Sequence, residues 1–180
     1  MIRICPIGVP GYLIPFIKKE MNGVTVMKDE GDFTEIEVDP KSILGMFLTR
    51  KIRPDYKVKF YALTLYSTKV GYKRAFSSEL LEFQNSAQFR VDLSFEELDS
   101  FYKFLDCNFR SSFYFFVKGY SLGSNSHQKI KEAIEKFCDH YELLEYGYSE
   151  KQLRNMFNRF QKKGGIYKLH KHERLSGLFM

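Results

Sequence analysis

The chain has 180 residues, 44% of them hydrophobic, with 18 Phe, 12 Tyr and no Trp, which excludes a disordered polymer and suffices for one cored domain, alone or with a helical appendage. Its formal charge of +6 is concentrated: Lys151 to Met180 carries eight Lys and Arg against the single acid Glu173, or +7, leaving −1 for residues 1–150. That asymmetry points to a polyanionic partner, the plainer reading being a solubilising tail.

No apolar run is long enough to span a membrane, and the N-terminus lacks a small-residue cleavage site. Cys5, Cys107 and Cys138 lie far apart with no C-x-x-C pair. A cytoplasmic protein with reduced cysteines and no membrane partner is expected.

In chain order, a short strand is predicted at Ile2 to Cys5, then a loop marked by Pro6, Gly8, Pro10 and Gly11. A helix follows over Tyr12 to Met21, with Pro15 in its first turn and Gly23 as its stop. Alternation at Val24 and Val26, turn residues from Asp29 to Asp32, and alternation at Thr34, Ile36 and Val38 predict a hairpin. Glu35, Glu37 and Asp39 then share its outer face, as acids guarding an edge strand do.

Asp39 before Pro40 reads as an N-cap opening a helix with Ile43, Leu44, Phe47 and Leu48 as its buried stripe. "KVKFYALTLYST" is apolar on both faces and predicts a central strand. Val70 to Phe76 and Gln88 to Leu93 are two further strand candidates.

Ser94 and Glu97 form an S-x-x-E capping box, with Leu93 and Leu98 as its hydrophobic staple. Leu98, Phe101, Tyr102, Leu105, Phe109, Phe113 and Phe116 recur at helical spacing to about Lys118, although "SSFYFFVKG" is dense enough to be a strand instead. "GYSLGSNS", Gly119 to Ser126, marks a linker.

Ile130, Ala133, Ile134, Phe137, Cys138 and Tyr141 then define an amphipathic helix running to about Tyr146, with Gly147 as its left-handed stop. Ser149 and Gln152 make a second capping box, stapled by Tyr148 and Leu153, so that Gly147, Tyr148 and Ser149 form the turn. The last helix puts Leu153, Met156, Phe157 and Phe160 on one face and Lys151, Arg154, Asn155, Asn158, Arg159 and Lys162 on the other. An ordinary surface helix mixes acids among its bases. Here the only acid is Glu150, at the first turn, where the helix dipole favours it.

Over Gln128 to Lys163 the chain resembles the helix-turn-helix DNA-binding proteins, in its two amphipathic helices, glycine-containing turn and basic, asparagine-bearing second helix. The third helix of such a unit falls to the aromatic helix ending near Lys118. The resemblance implies that Lys151, Arg154, Asn155, Asn158 and Arg159 face bases and phosphates. Lys162, Lys163 and Lys168 would add phosphate contacts from the helix end and the basic tail, whose other reading is a frayed terminus packed through Leu178 and Phe179.

Catalytic patterns are not met. The chain has no phosphate-binding glycine loop and no G-x-S-x-G elbow, and "DEGDF" lacks the ligand alternation of an EF-hand. His170 and His172 flank a lysine beside a basic segment that repels a cation, so neither metal nor cofactor is expected.

The expectation is an α+β protein with an N-terminal antiparallel sheet and short helices over 1–118, a linker at 119–127, a helical pair at 128–163 and a basic tail at 164–180. The expected function is non-enzymatic binding of double-stranded DNA, as a small regulator or accessory factor of a phage or mobile element. The N-terminal domain would then mediate self-association or hold a protein partner. The competing expectation is a structural or protein-interaction module with a basic C-terminal surface. A third is a single-strand or RNA binder stacking bases on exposed rings of "KVKFYALTLY" or "VGYKRAF".

Overall fold

A computed structural model of the chain describes residues 2–28, 31–52, 57–68, 94–122, 126–162 and 165. The expected strands at Val70 to Phe76 and Gln88 to Leu93, the Leu93–Leu98 staple, and the tail with Lys163, Lys168, His170 and His172 lie outside what it describes. The order is β1 (Ile2–Pro10), α1 (Leu13–Glu20), β2 (Val24–Lys28), β3 (Gly31–Val38), α2 (Ile43–Ile52), β4 (Phe60–Thr68), α3 (Phe95–Tyr120), α4 (His127–His140) and α5 (Glu150–Lys162). Two compact units, Met1–Leu105 and Asp106–Met180, divide within α3, upstream of the expected linker.

The fold is α+β, and the first unit is built on a four-stranded sheet of order β1-β4-β3-β2. β2 and β3 form the predicted antiparallel hairpin and β4 pairs antiparallel with β3, whereas β1 joins β4 in parallel register, Ile2 opposite Phe60. A parallel neighbour requires a long crossover, which α1, the hairpin and α2 supply. β4 is central, as its two apolar faces predict.

β1 is longer than predicted and runs straight through Pro6, Gly8 and Pro10. It pairs on one side only among the described residues, and an edge strand tolerates prolines because no second ladder of bonds is lost. β3 has partners on both sides, so the edge-guard reading of its acids is corrected. Glu37 is exposed and Glu35 half-buried on the outer face of an interior strand, followed by exposed Asp39. On its inner face Thr34, Ile36 and Val38 pair with Leu65, Leu63 and Tyr61, all buried. α1 contributes Leu13, Ile14, Phe16 and Ile17 to the same core.

The stop of α1 is one residue earlier than expected: Asn22, not Gly23, takes the left-handed conformation (φ 52°). Gly23 serves instead as a close approach, because a Cβ there would stand 2.9 Å from Thr34 Cγ2. α2 also starts later than Asp39–Pro40 predicts. The Asp39 carboxylate accepts the Lys41 N–H at 2.8 Å, and its carbonyl accepts the Ser42 N–H at 2.9 Å, which closes a turn around Pro40. Ser42 is the cap, its Oγ accepting the Gly45 N–H at 3.0 Å. The shift leaves Ile43 81% exposed rather than buried, while Leu48 is buried and Phe47 stacks on Phe101 at 6.0 Å.

The Ser94–Glu97 capping box is reciprocal: Ser94 N–H donates to Glu97 Oε2 at 2.9 Å and Glu97 N–H to Ser94 Oγ at 3.3 Å. α3 then continues as one helix through "SSFYFFVKG", which settles the strand alternative. Phe109, Phe113 and Val117 form its buried stripe in the second unit. Phe116, expected within that stripe, is partly exposed because the i, i+4 register gives the inward place to Val117. The expected linker shortens as well, since α3 includes Gly119 and Tyr120, and Ser126 caps α4 by accepting the Lys129 N–H at 3.3 Å.

Candidate nucleic-acid interface

The second unit is a three-helix arrangement of the end of α3 with α4 and α5, keyed by aromatic rings. The Phe113 ring stands 5.1 Å from Phe137 of α4 and 6.4 Å from Phe157 of α5, edge-on to both. Phe109 meets Phe137 at 5.9 Å and Tyr148 at 6.0 Å, and Tyr114 meets Phe157 and Phe160 at 5.8 and 5.7 Å. Each such pair adds about 0.5–1.5 kcal/mol to what burial of the rings provides. The aromatic end of α3 thus packs against both α4 and α5.

The connection between α4 and α5 differs from the expected one. α4 ends at His140, where Glu142 takes the left-handed conformation (φ 53°). The Leu143 N–H reaches back to Cys138 O at 3.0 Å and the Glu142 N–H to Asp139 O at 3.1 Å, the paired bonds of a Schellman stop. The same closure recurs five residues on: Gly147 is left-handed (φ 72°), with Tyr148 N–H on Leu143 O and Gly147 N–H on Leu144 O, both at 3.0 Å. A compact loop from Tyr141 to Ser149, pegged by fully buried Leu143, therefore replaces the predicted three-residue turn.

α5 opens as predicted. Ser149 N–H donates to Gln152 Oε1 at 2.7 Å, and Gln152 N–H returns to Ser149 Oγ at 3.4 Å. Replacing Ser149 with alanine is expected to lower the stability of this unit by about 1 kcal/mol, read as a lower urea midpoint at unchanged slope. Tyr148, predicted to staple Leu153, has its ring against Phe109.

The buried face of α5 is the predicted one, with Leu153, Met156, Phe157 and Phe160 all enclosed. Lys151, Asn155, Asn158, Arg159 and Lys162 are exposed, and Arg154 is half-buried. That suits an arginine at the margin of an apolar face, its stem laid along the face and its head in water. Gln161 is exposed as well, on the flank of Arg154, a place marked by the i, i+7 spacing and overlooked by a count of charges.

None of the four cations on this face has an acid partner among the described residues. The other helices of the unit differ. On α4, Lys131 pairs with Glu135 at 3.3 Å and Lys136 with Glu132 at 3.2 Å; on α3, Arg110 pairs with Asp106 at 2.6 Å. The Tyr120 hydroxyl donates to Glu132 at 2.5 Å and accepts from Lys136 at 2.8 Å, which lowers the carboxyl pKa and raises that of the ammonium. Burial pushes the Cys138 thiol up, so this cysteine is a protonated core residue. Among the described residues Lys118 of α3 and Lys129 of α4 also lack an ion pair, so what sets α5 apart is the gathering of four such cations on one helix.

Of the rings in "KVKFYALTLY" whose side chains are described, Tyr61 is buried and Phe60 half-buried; the rings of "VGYKRAF" lie outside the described residues. Among the described residues no helix is long and apolar enough to cross a membrane. Comparisons with protein-family models, with curated proteins and with solved structures find no match.

Proposed function

We propose that the protein binds double-stranded DNA without acting on it, with α5 entering the major groove as its contact element. The observation that carries this reading is the exposed, acid-free face formed by Lys151, Arg154, Asn155, Asn158, Arg159 and Lys162. Its residue types match the groove: guanidinium and ammonium groups neutralise phosphates, and arginine and asparagine bond base edges in bidentate geometry. α3 and α4 hold the opposite face of α5 through buried rings, so the contact face is presented on a rigid support. In the sequence, Lys163 and the basic tail with Lys168 continue the same charge.

The test is fluorescence anisotropy with a labelled random duplex across a salt series. If the four cations of α5 each contact a phosphate, the logarithm of affinity falls with the logarithm of salt at a slope of about −3 to −4. An Arg154→Glu/Arg159→Glu variant with an unchanged thermal unfolding curve is expected to bind roughly a hundredfold more weakly at low salt, with the slope reduced by about two. Absence of binding by the wild type at low salt would remove this reading and leave the basic helix to an acidic protein partner.

A further inference from the structure

Resting on the DNA-binding reading above, we infer that Asn155 and Asn158 are the base-reading residues of this face, and that the duplex it prefers carries adenines at two neighbouring base pairs. The argument is one of placement around α5. The buried residues Leu153, Met156, Phe157 and Phe160 fix the direction of its support. At about 100° per residue, the opposite direction runs along Lys151, Asn155, Asn158 and Lys162, and Arg154 and Arg159 fall about 70° to either side. The crest of a helix in the major groove meets the floor, where the base edges are, and its flanks meet the phosphate walls.

Side-chain length assigns the roles. A carboxamide on the short arm of asparagine reaches a base edge only from the crest, where both asparagines stand exposed. The long arms of Arg154 and Arg159 reach phosphates from the two flanks. Lys151 and Lys162 stand about 16 Å apart along the helix, so when its axis follows the groove they lie beyond the bases met by its middle, and their long stems reach the backbone instead. Only the two asparagines remain over the bases.

The chemistry of an asparagine carboxamide, one donor and one acceptor, matches the N6 and N7 edge of adenine. Three residues of helix separate Asn155 from Asn158, a rise of about 4.5 Å, comparable with the ~3.4 Å step between base pairs. Two adjacent adenines, on the same or opposite strands, satisfy both. Helix formation gives no reason for this choice, since Ala, Glu and Lys are all better formers than Asn.

The experiment selects bound duplexes from a pool with a randomised core, using the full chain, and repeats the selection with Asn155→Ala/Asn158→Ala. Alanine is the better helix former at both places, so the variant is expected to fold at least as well. The wild type is expected to enrich adjacent A·T pairs, and replacing their adenines with a deaza analogue lacking N7 to weaken its binding about 5- to 150-fold. The variant should bind unselected duplex with an unchanged salt slope, show no adenine enrichment and ignore the deaza substitution.

Binding without adenine enrichment, or enrichment that survives in the variant, overturns the assignment of Asn155 and Asn158 and leaves the DNA reading intact. Failure of the wild type to bind any duplex overturns the DNA reading itself, and this inference with it.

Discussion

Replacing Gly45 with alanine is expected to destabilise the N-terminal unit by about 3 kcal/mol, the upper end of what overpacking costs. The added Cβ would stand 1.9 Å from the Asp39 carbonyl oxygen and 2.6 Å from Pro40 Cα. Both are backbone atoms, held by the turn that the Asp39 carboxylate closes and Ser42 extends into α2. No rotamer change relieves that overlap, so either the turn opens or the first turn of the helix moves off it. Urea unfolding followed by circular dichroism reads the loss as a lower midpoint. Gly119→Ala is the control, because a Cβ there meets nothing within 4 Å and the position is helical. It should be neutral or stabilising by up to about 1 kcal/mol. Similar losses at the two sites would dismiss the steric explanation.

Truncation of Phe113 to alanine is expected to cost the C-terminal unit about 3–5 kcal/mol, the range for a fully buried phenylalanine. The ring is completely enclosed and keyed between Phe137 and Phe157, so its removal opens a cavity against two helices at once. Because α5 presents its polar face from this support, the proposed DNA binding should fall with the folded fraction and recover under conditions that refold the variant. Phe113→Leu keeps most of the volume and should lose less than about 1.5 kcal/mol. Exposed Phe115 is the control, its alanine variant staying within about 0.5 kcal/mol of wild type. A small loss at Phe113, equal to that at Phe115, would contradict the packing described for this unit.

Much of the architecture was legible because it rests on periodicity and local chemistry. The alternation of Thr34, Ile36 and Val38, the spacing of Leu153, Met156, Phe157 and Phe160, and the capping boxes at Ser94 and Ser149 are patterns of single elements, and each stands where the sequence places it. The failures came where a distant partner decides. Pro6, Gly8 and Pro10 read as a loop, yet β4 draws them into an edge strand through a register that no local pattern encodes.

Glycine is the usual left-handed signal and Gly147 does adopt that conformation, but Asn22 and Glu142 adopt it as well, ahead of the glycines at which the sequence places the helix stops. Asp39–Pro40 resembled a helix start because Asp serves equally as a cap and as the head of a turn, and only Ser42, three residues on, distinguishes the two. For the candidate interface, the sequence carried the residues and the polarity of α5. It could not carry their lack of ion-pair partners, which depends on where the acids of α3 and α4 lie.

The unpaired cations of α5 are also a burden on the free protein. Lys151 with Arg154, and Arg159 with Lys162, repel one another at helical spacing, and such like-charge pairs each subtract a few tenths of a kcal/mol from helix stability. Small anions gathering around the helix stand in for the missing acids. Added salt therefore relieves strain in the unbound protein even as it weakens a polyanionic complex. Sensitivity to ionic strength thus has opposite signs in the free protein and in the proposed complex, where the surface that would attract a polyanion is the one whose own helix its arrival would steady.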